Sequence, residues 1–539
     1  MSTREILTIQ FGHYSNYIGT HWWNLQETNF SYDPDNPSEI NHDVLYREGE
    51  TRQKQITYTP RLLLVDLKGS LGYLNENGTL YENSSKDKDI LWYDENVQIS
   101  EEPEASKSSF IKDLDHPTRN NEETEKSIEI ENNVNKWVDY LVPRFHPRTV
   151  NVVKQYTHES PNQPFDVFNY GRNVWSTESF SEDFTDKIRN YVEECDLIQG
   201  FQVILDSTDG FAGLGSSCIQ YLRDEYGKSI LSFPTFEGTN IEASAADLIK
   251  IVNTVLCYQQ IGENSSLFSP LGCREEIFPK TGKFRKFQYL DYDPQLKYHS
   301  AAILATALDT LTLRYRQKKF PMSALSDLCA DMNKLGRKAA AMSLNLPFPM
   351  TVERDLIDIL DDLEEPLWTS LTPYCEISTD KNYQSISLRG VPENRLKRPL
   401  NEAQNQLSKA AYKCSTVHEM MSLFFSCSCH ASATYFTNIS APLTTKRPFP
   451  KIFNNQVMKN GNISDTPNND GVESISVMAG LHSGSSLSNM YESLYNQAKK
   501  VRTIKRFHAF ENSGLENDEY MESLNNLLDC KEAYEDHYV

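Results

Sequence analysis

The stretch "STREILTIQFGHYSNYIGTHWW" (Ser2–Trp23) decides how the fold is read. Residues 4–11 alternate well enough for a strand, and Asn16–Glu27 can form a helix with Ile18, Trp22 and Trp23 partly facing inward. A strand running through a tight loop into a helix is where α/β proteins bring backbone amides up to a phosphate, usually with glycines permitting the approach. Here one glycine, Gly12, precedes His13, Tyr14 and Ser15. Either the loop holds a nucleotide or it keeps only the shape of one that does.

Further strands and helices follow. "PRLLLVDLKGS" (Pro60–Ser70) is a continuous apolar run closed by Asp, Lys, Gly and Ser, as expected for a strand buried on both faces of a parallel sheet. "KWVDYLVPRFHPRTVNVV" (Lys136–Val153) predicts an amphipathic helix, a Pro-punctuated turn and a strand. A helix at Ser181–Glu194, a strand at Gln199–Ser207, a glycine-rich loop "TDGFAGLGSS" (Thr208–Ser217) and a helix at Cys218–Tyr226 come next. Strands alternating with helices through the first 350 residues predict an α/β parallel sheet. From about Trp368 the pattern is mixed, Ser378–Gln406 and Asn454–Glu473 read as long surface loops, and the end is helical.

A chain of 539 residues exceeds one ordinary core, and 39% hydrophobic with 11% aromatic residues can fill several. The net charge of −22 argues against a nucleic-acid partner. Nothing at the N-terminus reads as a signal or transit peptide, and the longest apolar run, Ala301–Leu313, is too short to span a bilayer. Membrane association is therefore expected to be peripheral. Ten scattered cysteines read as reduced thiols of a cytosolic protein. Residues 86–132 hold 14 acidic against 6 basic residues and read as a solvated, disordered insertion.

"DGFAGLGSS" is the most suggestive motif: a buried strand precedes it and a helix follows. Gly210, Gly213 and Gly215 allow close approach, and Ser216 or Ser217 adds a hydroxyl. A tight turn needs such glycines as well, so both readings stand. Asp66, ending an apolar strand, either holds Mg2+ through water or caps the next turn. "CSCH" (Cys427–His430) lacks a second Cys/His pair at workable spacing, so no metal ligands are assigned there. No nucleophile elbow, Walker-type lysine loop or HExxH is present, and no catalytic residue is assigned.

These pieces, in this order, resemble the tubulin superfamily. "REILTIQFGHYSNYIGTHWW" resembles the tubulin opening. "YTPRLLLVDLKGS" (Tyr58–Ser70) resembles its magnesium-loop strand, and "FNYGRNVW" (Phe168–Trp175) its Asn-Trp-Ala-Lys-Gly loop. "ECDLIQGFQVILDSTDGFAGLGSS" (Glu194–Ser217) resembles the run into the GGGTGSG loop. "NLPFP" (Asn345–Pro349) and "FHAFENSGLENDEYMESLNNL" (Phe507–Leu527) resemble later tubulin segments. Within the superfamily, "HWWN", "DVLY", "YTPRL", "DLKGSL", "HPR" and "AILATALDT" resemble the Misato family.

The resemblance implies a Rossmann-like parallel-sheet domain in two parts, 1–85 and 136–335, split by an acidic insertion at 86–135. A second α+β domain at 336–480 and a helical region at 481–539 would follow. Carried over by position, Gly12, Asn16, Asp66, Asn169, Gly210, Gly213, Gly215 and Ser216 would form a degenerate nucleotide site, with GTP as the cofactor. The family's implied role is in mitochondrial distribution, morphology and fusion, in the cytoplasm and at the cytosolic face of the mitochondrial outer membrane. A further implied role is mitotic spindle microtubule assembly, with the cytosolic chaperonin, prefoldin and tubulin as partners.

Departures from tubulin favour a non-polymerising, regulatory or scaffolding protein that is not an enzyme; a working GTPase and a chaperonin-linked tubulin-folding factor are the alternatives. His13, Tyr14, Ser15 and Tyr17 replace the tubulin loop residues, and the two tyrosine rings would have to swing outward to admit a phosphate. GGGTGSG becomes DGFAGLG (Asp209–Gly215). Lys68 replaces a magnesium-side Glu, and Ser300 falls where an Asn reads guanine. In the polymerisation loop "FPMSALSDLCADM" (Phe320–Met332) Asp327 remains, but Leu325 stands for Asn and Ala330 for the Glu that orients water. Asp331 is one residue off that position.

Overall fold

The computed structural model describes residues 4–535, apart from 34, 36, 52–53, 79, 81–109, 113–130, 132–133, 238–244, 278–282, 320–321, 364–366, 469–470, 502–503 and 505–506. The predicted opening strand is β1 (Arg4–Phe11), and α1 (His13–Thr28) begins one residue later. After a hairpin of β2 (Tyr46–Glu50) and β3 (Ile56–Pro60) come β4 (Leu62–Lys68) and β5 (Val150–Thr157). Helices α2 (Phe168–Trp175) and α3 (Glu178–Glu193) lead to β6 (Leu197–Asp206) and α4 (Gly210–Tyr226). Then follow β7 (Ser229–Thr235), α5 (Ala245–Asn264), β8 (Leu267–Phe268) and α6 (Lys297–Thr312).

Six of these strands pair in the order β5–β4–β1–β6–β7–β8, every pairing parallel. The apolar runs of β1 and β4 are buried on both faces, as a sheet covered by helices on each side requires. On one face Ile6, Leu62, Leu64 and Ile204 pack against α1 and α6. On the other, Leu7, Ile9, Leu63 and Val203 pack against α2, α3, α4 and α5. Tyr298 through Thr312 of α6 are all buried, so this helix has no solvent face. It lies between the first sheet and a second one.

After α7 (Leu325–Met332) the chain adds β9 (Ala341–Asn345), α8 (Leu356–Asp361), β10 (Thr369–Ser370) and β11 (Tyr383–Arg389). It continues through α9 (Val417–Ser428), β12 (Ala433–Ile439), β13 (Leu443–Thr444), β14 (Ser474–Ile475) and β15 (Val477–Ser483). The second sheet runs β10–β9–β15–β11–β12, with only β11 and β12 parallel. The terminal helices α10 (Leu487–Ala498), α11 (His508–Asn512) and α12 (Asn517–Tyr534) return to the first sheet. Ser523 of α12 hydrogen-bonds Gln259 of α5, and the Tyr534 hydroxyl reaches the Ala339 carbonyl at 2.7 Å.

Several expectations change. The segment expected to be an amphipathic helix after Lys136 is one 3-10 turn, Trp137–Tyr140. Ser378–Gln406, read as a surface loop, contains β11, an interior strand of the second sheet between β15 and β12. Its polar residues are buried because each finds a partner: Gln384 meets His482 at 3.0 Å, and Ser385 accepts from Arg314 at 3.0 Å. β15 straddles the expected 480/481 boundary. Most of the acidic insertion lies outside the described residues, yet three residues within it are anchored. Phe110 and Ile111 are buried, and Glu131 pairs with His299 at 3.2 Å.

Two buried histidines tie this fold to pH. His21 donates from Nε2 to the Tyr298 carbonyl at 2.9 Å; burial pulls its pKa down to about 3, only partly offset by that bond. Burial brings His482 to about 3 as well. Both stay neutral in the folded protein but take up protons below about 6.5 in the unfolded chain. Their contribution is therefore fully present above about pH 6.5 and is lost as pH falls towards 3. Chemical unfolding from pH 7.5 to 5 should show stability declining below 6.5, with a shallower decline in His482→Gln. An unchanged slope in that variant contradicts the assignment.

Candidate functional site

The carboxyl ends of β1, β4 and β6 meet the N-termini of α1 and α4. In α/β sheets this edge is where ligands dock. Gly12 sits at φ +110°, a conformation that side chains resist, and a Cβ there would collide with the Asp206 carboxylate. Asp206, the last residue of β6, caps α1 from outside that helix. It accepts from the Tyr14 amide at 2.9 Å, the Ser15 amide at 2.8 Å, Ser15 Oγ at 2.7 Å and Thr235 Oγ1 at 2.9 Å. A helix N-terminus offers unpaired amides and partial positive charge to an anion; here the protein supplies the anion itself. Burial pushes the Asp206 carboxyl up, opposed by the bonds from Ser15, Thr235 and Tyr14.

The second helix terminus is closed the same way. Sequence reading placed Thr208–Ser217 in a loop, but Gly210 onward is helical, with Asp209 capping the Phe211 amide at 2.9 Å. The Gly210 amide bonds the Phe165 carbonyl at 2.9 Å. Burial and the nearby Asp206 charge push the Asp209 carboxyl well above the usual range. Gly213 is small because the Phe168 carbonyl of α2 lies where a Cβ would go, and Gly171 faces the Gly210 carbonyl in the same way. A Cβ on Gly210 would come within 2.8 Å of the Phe165 ring, and one on Gly215 within 3.0 Å of Leu205. The three glycines thus serve helix packing in this arrangement.

The tyrosines turn inward and do not take the outward position that admitting a phosphate would require. Tyr14 is buried, and its hydroxyl donates to Ser300 Oγ, the expected base-reading position, at 2.9 Å. Tyr17, Tyr140, Tyr298 and His21 continue that filling, with Tyr140 4.4 Å from His21 and 4.9 Å from Tyr298 between ring centres. Phe110 closes on Tyr298 from the insertion. Aromatic burial of this kind stabilises the fold and takes up space that a purine would need. With the helix termini capped by Asp206 and Asp209 and Tyr14 on Ser300, the residues present do not fit the phosphates and base of GTP.

Asn16 and Asp66 do come together. Asn16 Nδ2 donates to Asp66 Oδ2 and to the Val65 carbonyl, each at 3.1 Å. Asp66 is fully buried and also accepts from Trp137 Nε1 at 2.8 Å and from the Leu67 amide at 2.8 Å. His13 Nδ1 lies 3.3 Å from its Oδ2. Burial alone would raise this carboxyl, but the bonds from His13, Leu67 and Asn16 hold it below the usual range. His158, just past β5, brings its ring 4.1 Å from that of His13. Asn169 points elsewhere, donating to the Ser513 carbonyl at 3.4 Å, and Ser216 is buried within α4. Sequence reasoning missed His158: 92 residues separate it from Asp66, and only the β4–β5 pairing brings them together.

In the polymerisation-loop segment, Leu325 is fully buried and Asp327 accepts from the Ala324 amide at 2.7 Å, capping α7. Asp331 pairs with Arg314 and with Lys334 at 3.2 Å.

Residues 4–116 match the family model "Misato Segment II tubulin-like domain", and 128–317 match "Tubulin domain". Protein misato of Drosophila melanogaster is 36% identical, with 99% of each chain covered. The chain belongs to the Misato family of tubulin-like proteins. Protein misato homolog 1 of Danio rerio is 33% identical over 98% of this chain and 96% of its own. That of Homo sapiens is 30% identical over 99% of this chain and 98% of its own. The α/β, tubulin-like class with a parallel first sheet, a mixed second sheet and C-terminal helices therefore stands.

Removing the internal anion should cost the fold. Asp206→Ala leaves the Tyr14 and Ser15 amides of α1 without an acceptor, and should lower unfolding stability by about 3 kcal/mol, with Asp206→Asn intermediate. Gly213→Ala, driven against the Phe168 carbonyl, should cost about 2 kcal/mol. Denaturant midpoints within error of the parent for both alanine variants would refute these roles.

Proposed function

We propose that this Misato-family protein is a regulatory or scaffolding relative of tubulin that neither polymerises nor turns over GTP. In this reading it acts in mitochondrial distribution, morphology and fusion at the cytosolic face of the outer membrane. The observation that carries the non-catalytic part is the Asp206 carboxylate seated on the α1 amides, where a phosphate would otherwise bind. The mitochondrial part rests on the family resemblance. Peripheral attachment agrees with a further fact: among the described residues no helix is long and apolar enough to cross a membrane.

The same reading disposes of the longitudinal contact by which tubulin subunits stack. That contact needs a carboxylate facing the next subunit's nucleotide. In α7 Asp327 is spent on its own helix N-terminus and Asp331 on Arg314, and Ala330 has no acidic group. A heterologous contact without its nucleotide bridge does not propagate.

The working-GTPase alternative predicts guanine nucleotide retained by the purified full-length protein after gel filtration; our reading predicts none, and no GTP hydrolysis above background. Sedimentation at micromolar concentration with GTP and Mg2+ should leave the protein in the supernatant, whereas GTP-dependent pelleting with filaments by electron microscopy would refute the non-polymerising role. In cell fractions the protein should leave mitochondria on alkaline carbonate washing. Capture of chaperonin subunits without any mitochondrial pool would instead support the tubulin-folding alternative.

A further inference from the structure

Three side chains at the carboxyl edge of the first sheet form a cluster beside the closed helix termini. His13 opens α1, Asp66 lies two residues before the end of β4, and His158 follows β5. One ligand atom from each lies within 4.8 Å of the others. The His158 amide is fixed to the Lys68 carbonyl at 2.9 Å, which holds that loop beside β4.

We propose that His13, Asp66 and His158 form a binding site for a divalent transition-metal ion, zinc by preference, with water as the remaining ligand. Two imidazoles and one carboxylate suit zinc, whose bonds to nitrogen and oxygen are about 2.0–2.2 Å in a tetrahedron. Two ligands of such an ion stand about 3.3 Å apart. His13 Nδ1 and Asp66 Oδ2 have that separation of 3.3 Å, longer than an ordinary N–H···O bond. The carboxylate is already oriented as a metal ligand is usually oriented, by Trp137 Nε1 at 2.8 Å, Asn16 Nδ2 at 3.1 Å and the Leu67 amide at 2.8 Å.

The cluster is neither sealed nor loose. Asp66 is fully buried, while the side chains of His13 and His158 are 12% and 17% exposed, so an ion can enter and a water can stay. Glu159 Oε1, 3.6 Å from His158 Nε2, adds negative charge at the rim. Bound there, the ion would join the start of α1 to the ends of β4 and β5. Nothing in this assignment depends on the closed nucleotide region, and GTP binding found elsewhere in the chain would leave it standing.

The test uses the full-length protein, stripped with chelator and dialysed, titrated with zinc chloride alone. One equivalent should bind with a dissociation constant of about 1 μM or below, and should raise the melting temperature. Cobalt(II) should give the visible absorption of a tetrahedral centre, which zinc displaces. His13→Ala and His158→Ala should each weaken binding at least about 100-fold in protein that circular dichroism shows to be folded. Asn16→Ala, which removes a donor to the carboxylate and to the Val65 carbonyl but no proposed metal ligand, should weaken it about 10-fold. The exposed-residue variant His508→Ala should bind as the parent does. Absence of saturable zinc binding overturns the proposal, as does stoichiometric binding unaffected in both histidine variants, which marks an adventitious ion only.

Discussion

One buried carboxylate sets the geometry of the first domain. Asp206 ends β6 and reaches across to the first turn of α1, where it replaces an external anion with an internal one. Gly12 must then be glycine, Ser15 must carry a hydroxyl, and Thr235 on β7 completes the shell. Three adjacent parallel strands are thereby fixed at one edge through a single side chain. An anion that is part of the chain is present at full occupancy without any ligand concentration, so the terminus of α1 is neutralised as soon as the sheet forms.

A second buried charge cluster joins the two sheets. Asp309, on the wholly buried α6, takes Arg389 from β11 on one oxygen and Arg316 at 3.0 Å on the other. Arg316 also donates to Gln26 of α1 at 2.7 Å, and Arg389 reaches the Pro442 carbonyl at 3.1 Å. Such a cluster adds little net stability over an apolar core, but losing one member strands a buried charge. It therefore fixes which way the second sheet meets α6. Arg389 is what makes the polar strand β11 a core strand, since its partner waits on the other domain.

How much of this was legible in the sequence follows from where the information lies. β1, β4 and β6 were readable because both faces are buried and the runs are apolar. β11 was not, since Tyr383–Arg389 alternates serine, isoleucine and leucine among polar groups whose partners are 70 to 100 residues away. The glycines of Gly210–Gly215 were visible, but their purpose was not: a glycine that admits a phosphate and one that admits a neighbouring helix carbonyl look alike in one dimension. The substitutions at Tyr14 and Tyr17 signalled a changed loop, and the hydroxyl on Ser300 shows that the rings went inward. His13, Asp66 and His158 could be joined only through the β4–β5 register.

The central claim is that the α1 amides are satisfied by Asp206 and have no use for a phosphate. Hydrogen exchange of the peptide covering Gly12–Ile18 measures this directly, with and without GTP and Mg2+. The account predicts strong protection of Tyr14 and Ser15 in the nucleotide-free protein, unchanged on adding GTP and lost in Asp206→Ala. Rapid exchange in the nucleotide-free parent, slowed only when GTP is added, would contradict it.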